Sequence, residues 1–251
     1  MPTSLAQELV DRIVESFPQC TLQQRNDLRT CVRLSKPFAA AARRAMYSTA
    51  TIPANIDLLR TKLAGWSGIG ALAAPYVAKL EIEGRDRFHQ DIVTHDTLHR
   101  VFDVFRRVRV FTITRCIWHG SLIFEDLPRR CSRLQRLDLQ GIQFRTRTAD
   151  LACIASQCPA LEELRVWDCE WFLGDTPNDY PAAGPSHLHS VHIAPLHAGN
   201  IWRIDRVVAG AQRTLQSLFV GMMRNTQRCE YTASALDVMA ERACFEQPHT
   251  P

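Results

Sequence analysis

The chain has 251 residues, of which 46% are apolar and 22% charged, and its formal net charge is +4. These values are ordinary for a globular protein with a sizeable core, and no apolar run approaches the roughly 18 residues of a membrane span. The first residues, "MPTSLAQELVDRIVESF", lack the basic and apolar segments of a targeting peptide. We therefore expect a cytoplasmic or nuclear protein with no membrane partner.

Two further features of composition bear on partners and redox state. The tightest basic cluster, Arg106, Arg107 and Arg109, alternates with apolar residues as on a solvated helix edge, so we predict no nucleic-acid partner. The nine cysteines include no C-x-x-C pair, and Cys131 and Cys158 stand 27 residues apart, as small apolar side chains in equivalent places would. This pattern predicts reduced, buried thiols.

The first fifty residues have the apolar spacing of three short helices. The first helix is amphipathic and ends at Pro18. A second helix covers residues 28–35, and a third covers residues 38–47 with Pro37 in its first turn. Residues 51–75 form a linking segment, in which a helix is ended by "GWSGIG". A longer helix follows before residue 110, and its inward side chains are Leu98, Val101, Phe102 and Phe105.

Residues 76–231 contain a degenerate repeat. Six segments carry an L-x-x-L-x-L pattern with alternating apolar residues, which predicts short strands with one buried face. Their central residues are Leu80, Phe111, Leu137, Leu164, Val191 and Leu218. The last four intervals are 26, 27, 27 and 27 residues, and the first is 31. Between strands the spacing becomes helical, as in "TADLACIASQCPAL".

A strand–helix unit cannot bury its own apolar face, whereas stacked units can. The sequence therefore predicts an α/β solenoid, with parallel strands in chain order on a concave face and helices or loops on the convex face. The alternative is a doubly wound α/β domain. At the end of the chain, residues 232–251 are predicted to form a capping helix and tail. The strand at residues 217–220 is then predicted to be unpaired on one side.

These repeats resemble the leucine-rich repeats of F-box proteins, with Cys116 and Cys169 at the residue that closes the strand. Residues 1–50 resemble the F-box itself, in the form abundant in fungal proteins. The motif positions are Leu5, Ala6, Glu8, Leu9 and Ile13, then Leu28, Cys31, Leu34, Ser35, Lys36 and Phe38. Ala6 and Phe38 depart from the family's proline and tryptophan.

The resemblance implies a substrate-recognition adaptor of a cullin-type ubiquitin ligase. In this family the F-box binds a Skp-type adaptor, which joins it to the cullin scaffold, and the repeats bind a protein substrate. The residues implied in adaptor binding are Leu5, Leu9, Ile13, Leu28, Leu34 and Phe38. One alternative is a leucine-rich-repeat binding module whose F-box-like region is only a structural cap. Another is a small α/β enzyme.

The substrate surface is expected on the outward strand positions of the repeats. Aromatic and arginine residues on a polar face are typical anchors of protein interfaces. The predicted contact residues are Arg136, Asp138, Glu163, Arg165, Trp167, His192 and Phe219.

The sequence offers little for catalysis or metal binding. His187, His189, His192 and His197 are close in sequence, but the strand register does not make them converge on a zinc ion. No nucleophile motif or phosphate-binding glycine loop occurs. We predict no catalytic residue, no metal and no cofactor.

Overall fold

The structure is a computed structural model that describes part of the chain. The described residues are 10, 12, 27–30, 32–33, 36–85, 91–119, 132–144, 155, 158–171, 186–196, 207–208, 210–222 and 229–231. No helix within them is long and apolar enough to cross a membrane.

Three α-helices and two 3₁₀ helices lie within residues 36–85 and 91–104, all of which the structure describes. Their bounds are α1 Lys36–Tyr47, α2 Ile56–Ser67, η1 Ile69–Leu72, η2 Ala74–Tyr76 and α3 His95–Val104. Side-chain caps start two of them: Asn55 accepts from the Leu58 amide at 3.2 Å, and Thr94 accepts from the Thr97 amide at 3.3 Å. The helix predicted before residue 110 is α3, and all four of its predicted inward side chains are buried.

Twelve strands form two sheets within the described residues. The strands are β1 Thr49–Pro53, β2 Lys79–Glu83, β3 Ile92–Thr94, β4 Val110–Thr114, β5 Ile117–His119, β6 Arg136–Gln140, β7 Gln143–Phe144, β8 Glu163–Trp167, β9 Glu170–Trp171, β10 Ser190–Leu196, β11 Ser217–Met222 and β12 Cys229–Tyr231. The first sheet has the order β1-β2-β4-β6-β8-β10-β11-β12, and its first seven strands are parallel. The fold is therefore α/β, and its strand order advances with the chain instead of reversing as in a doubly wound sheet.

The register of this sheet confirms the positions and the order of the six predicted strands. The six predicted central residues lie side by side on neighbouring strands, from Leu80 beside Phe111 to Val191 beside Leu218. The position three residues earlier in each unit is also buried; its occupants are Val77, Val108, Leu134, Leu161, Leu188 and Leu215. Equivalent apolar side chains thus stack on one another and form one continuous core.

β1 adds a seventh parallel strand ahead of the predicted six. It pairs with β2 so that Ala50 lies beside Leu80 and Ile52 beside Ile82. The boundary predicted between residues 50 and 51 falls inside this strand. The start of the linking segment therefore shares the core of the repeats, and Leu59 and Leu63 of α2 are buried in it.

The second sheet is small, parallel and also in chain order. It contains β3, β5, β7 and β9, each of which follows a strand of the first sheet within one unit. In the last three units the turn between the two strands has a left-handed residue, with φ of 52° at Arg115, 61° at Gly141 and 52° at Asp168. The next residue points into the core; it is Cys116, Ile142 or Cys169. This placement agrees with the predicted role of the two cysteines.

The prediction of an unpaired final strand is wrong. β12 pairs antiparallel with β11, with Leu218 beside Tyr231 and Val220 beside Cys229. An antiparallel neighbour needs only a short connection, whereas a parallel neighbour needs a dozen or more residues. Six residues, 223–228, separate the two strands in the chain, and β12 pairs with Leu218–Val220, the central part of β11. The predicted capping helix at 232–244 lies outside the described residues.

Candidate protein-binding surface

The outward positions of the first sheet form rows that run across the strands. One row contains Arg136 beside Glu163, and the next contains Asp138 beside Arg165. His192 extends the second row on β10, and Phe219 extends it on β11. Trp167 lies at the end of β8, beside Ala194. The register therefore brings all seven predicted contact residues onto one face of four neighbouring strands.

Four of these residues alternate in charge, both along β6 and β8 and between the two strands. The Arg136 Nη2 atom lies 2.8 Å from Asp138 Oδ2, and its Nε atom lies 3.4 Å from Glu163 Oε2. Arg165 donates from Nε to Glu163 Oε1 at 2.6 Å. The hydrogen bonds to Asp138 raise the pKa of Arg136 above its ordinary value. The quartet is neutral overall and only partly exposed, so its charges are held in fixed directions before any partner arrives.

The other three residues form an aromatic cluster. Phe219 stacks on Trp167 with ring centroids 5.9 Å apart and planes at 30°, and on His192 at 5.9 Å and 27°. Trp167 and Phe219 belong to strands that are separated by β10. The residue beside Trp167 on β10 is the small Ala194, which leaves room for the two rings to meet. Trp167 keeps 36% of its surface exposed. Stacking already holds the Trp167 ring in one orientation, so little further side-chain entropy is lost when a partner binds.

His192 links the aromatic cluster to the charged quartet. Its Nε2 atom lies 3.0 Å from the Ser190 hydroxyl. Burial lowers the pKa of His192, and the Arg165 charge lowers it further, which favours the neutral form of the ring. His187 and His189 lie before β10 and are exposed, and the side chain of His197 is outside the described residues.

The buried cysteines are chemically quiet. Cys116, Cys158 and Cys169 are free thiols, and burial raises the pKa of Cys158 and of Cys169 to about 12. A thiol that stays protonated is a poor nucleophile and a poor metal ligand. Within the described residues, no three His, Cys, Asp or Glu side chains are grouped so that they could hold a metal ion.

Two of the six predicted adaptor-binding residues are described. Leu28 is buried, with Ala41 and Ala42 of α1, in a small cluster separate from the main core. Phe38 lies in the first turn of α1, half-buried against the same cluster. Leu5, Leu9, Ile13 and Leu34 lie outside the described residues. Leu28 therefore packs between the helices and is not accessible to a partner. Of the two described residues, Phe38 is the one whose side chain is partly accessible.

The arginines that the sequence placed on a helix edge lie elsewhere. α3 ends at Val104, and Arg106, Arg107 and Arg109 follow it in the turn that leads into β4. The placement on a helix edge was wrong because Phe105 ends the helical turn and points into the core. Arg106 and Arg107 border a groove that also contains Trp66.

Comparisons with protein-family models and with curated proteins find no match for this chain. The class that the structure defines is an α/β protein with a long parallel sheet, which displays a charged and aromatic surface on one face.

Proposed function

We propose that this chain is a substrate-recognition adaptor of a cullin-type ubiquitin ligase, and that the charged and aromatic face of the first sheet binds its protein substrate. The observation that carries the substrate-binding half of this proposal is the Trp167–Phe219–His192 cluster, in which Trp167 is exposed, next to a neutral, prearranged ion-pair quartet. Protein interfaces typically combine an aromatic anchor with surrounding charges that select the partner.

The repeated units favour a leucine-rich-repeat solenoid as the scaffold. Each of four units supplies one strand to the first sheet and a shorter strand to the second, and a cysteine or isoleucine closes three of them. Such scaffolds contact a partner over several units at once. The seven contact residues come from β6, β8, β10 and β11, so a substrate would span four units.

The ligase role rests on the N-terminal resemblance. Residues 27–30 and 32–33 are helical and α1 follows them, as the F-box pattern requires. The adaptor would dock on the helices of residues 1–50, and the substrate on the repeats. The chain then acts by holding the substrate at high local concentration near the charged ubiquitin-conjugating enzyme, without bond chemistry of its own.

Coexpression with a Skp-type adaptor and a cullin N-terminal fragment tests the docking half of this proposal. The wild-type chain should coelute with both proteins, and Ile13→Asp or Phe38→Asp should abolish coelution. A buried carboxylate without a partner is costly at an apolar interface. Leu58→Asp is the matched control, because Leu58 is an exposed leucine of α2 outside the F-box-like segment. Wild-type coelution by both F-box-region variants would refute the docking assignment.

Quantitative affinity purification from the native host tests the substrate half. Trp167→Ala with Phe219→Ala should remove substrate proteins and leave the adaptor and cullin bound. Each truncation of an interface anchor costs about 2 kcal/mol or more, which is roughly 30-fold in affinity. Ile92→Ala, at an exposed isoleucine of the second sheet, is the control. An unchanged set of copurified proteins in the double variant would show that this face does not hold the substrate.

One observation favours the structural-cap alternative. Leu28, an expected adaptor contact, is only 4% exposed and packs inside its own cluster. If the repeats retain their partners while no adaptor coelutes with the wild-type chain, the cap alternative holds and the ligase role does not.

A further inference from the structure

A groove lies at the edge of the first sheet where β2 and β4 begin. It has a volume of about 370 Å³ and is formed by the ends of α2 and α3 and by the 3₁₀ helices before β2. Its apolar walls include Trp66, Pro75 and Val104. Trp66 is held edge-on against Phe105, with ring centroids 5.1 Å apart, and remains only partly buried. Leu72, in the neighbouring η1, is 86% exposed. The groove therefore offers a fixed aromatic wall with room for one large apolar side chain.

The rim of this groove is basic. Arg106 and Arg107 line it, and Arg109 and Arg133 continue along the same edge of the sheet. The continuity follows from the backbone: the amide of Arg109 donates to Ala78, and the amide of Gln135 donates to Arg109, both at 2.7 Å. We call Arg106, Arg107, Arg109 and Arg133 the arginine rim.

The arginine rim forms no ion pair within the described part of the chain. All four side chains are exposed, and no described carboxylate lies within ion-pair distance of any of them. Arg106 donates instead to the Asp103 carbonyl at 3.2 Å. Among the described residues, Asp103 is the one carboxylate that lines the groove, whereas two arginines line it and two more lie beside it. The arginines of the proposed substrate face, in contrast, are all paired with carboxylates.

We propose that this groove and the arginine rim form a second binding site, which takes an acidic peptide segment with one large apolar residue. The apolar residue packs on Trp66, and flanking carboxylates pair with Arg107 and Arg133. A peptide fits better than a nucleic acid strand, because the described lining of this open groove has one aromatic side chain, Trp66, and not a series of stacking platforms along a track. The site is separate from the outward face of the sheet and does not depend on the ligase role.

A random 12-residue peptide library displayed on phage, selected on the full chain, tests the proposal. Enriched peptides should carry Asp or Glu around an aromatic or large aliphatic residue. In fluorescence anisotropy, the labelled best peptide should bind more weakly by about tenfold to the Arg107→Glu, Arg133→Glu double variant, since the change replaces attraction with repulsion. Its binding should also weaken as salt rises.

Two more variants make the test specific. Ala71→Trp fills the groove from an exposed position on η1 and should weaken binding without removing a charge. Arg213→Glu makes the same charge change at an exposed arginine beside β11, four strands away, and should leave binding unchanged. Replacing the peptide's apolar residue with alanine should reduce binding to the same extent as Ala71→Trp.

Three outcomes would overturn the proposal. One is selected peptides without acidic residues, and another is peptide binding that neither the rim variant nor Ala71→Trp weakens. The third is a single-stranded 15-mer oligonucleotide that displaces the peptide and binds more tightly in a rim-dependent way, which would assign the site to nucleic acid.

Discussion

Gly84 lies where the end of β2 meets the turn after β4, and the structure predicts that no larger residue fits there. A Cβ atom at Gly84 would lie 1.8 Å from the Arg115 carbonyl oxygen and 2.7 Å from its carbon. An ordinary contact between carbon and oxygen is about 3.3 Å, so the backbone would have to move by about 1.5 Å. That movement breaks the 2.8 Å hydrogen bond from the Gly84 amide to the Thr114 carbonyl.

The expected cost of Gly84→Ala is about 2–4 kcal/mol of unfolding free energy. A buried backbone bond left unmade accounts for roughly 1–3 kcal/mol, and displacement of the Arg115 turn adds the rest. For a chain of this size, each kcal/mol shifts the melting temperature by about 2–4 °C. Thermal unfolding followed by circular dichroism should therefore show a fall of roughly 5–15 °C.

Gly65→Ala is the matched control. Gly65 is exposed in α2, and a Cβ atom there would meet nothing within 4 Å. Helix propensity then predicts a gain of about 1 kcal/mol and a small rise in melting temperature. If Gly84→Ala melts within a degree of the wild type, the close approach of β2 to the Arg115 turn does not exist and the packing of these two units is wrong.

Three further predictions concern ionisation. Burial raises the pKa of Asp91, but hydrogen bonds from Arg85 outweigh it and hold the pKa below its ordinary value. Asp91 thus stabilises the fold above about pH 3.9, and urea unfolding should show the wild-type advantage over Asp91→Asn shrinking as the pH falls below that value. A constant advantage down to pH 2 would contradict it. The lowered pKa of His192 favours its neutral form, so stability falls as the pH drops below about 6.5. NMR titration should find the pKa of His192 in the folded protein below that of a denatured control. His192→Gln should make the free energy of unfolding depend less steeply on pH below about 6.5. Finally, iodoacetamide at pH 8 should modify the described buried thiols only after unfolding, because burial raises their pKa; peptide mapping should show this for Cys116, Cys158 and Cys169. Rapid labelling in the native state would refute their burial.

Much of the first sheet could be predicted from residue spacing. Six central residues at near-constant intervals meet on neighbouring strands, because equivalent apolar positions must stack to bury one another. β1 was missed because Ala50 is a small residue where the other units have large ones. The strands of the second sheet were missed because two or three residues are too few to show alternation.

The candidate site could also be predicted only in part from the sequence. Alternation along each strand was enough to select the outward residues, including Trp167 and Phe219. It was not enough to predict that these two rings touch, because they come from units 52 residues apart in the chain and are separated by another strand. The sequence did not predict the arginine rim and its groove either, since the groove is made by the ends of two helices and by the 3₁₀ helices before β2.

The sequence by itself determined which side chains face the core and which face outward, since both follow from the local period of apolar residues along each strand. Only the tertiary structure decided which outward side chains meet. Arg136 pairs with Glu163 because β6 and β8 lie in register, and Trp167 reaches Phe219 because Ala194 leaves the space between them open. The same holds at the last strand, where the antiparallel return of β12 covers an edge that the repeat pattern alone would leave open. The local period of apolar residues sets the direction of each side chain. Contacts between distant units depend instead on strand register and on the size of the side chains on the intervening strand.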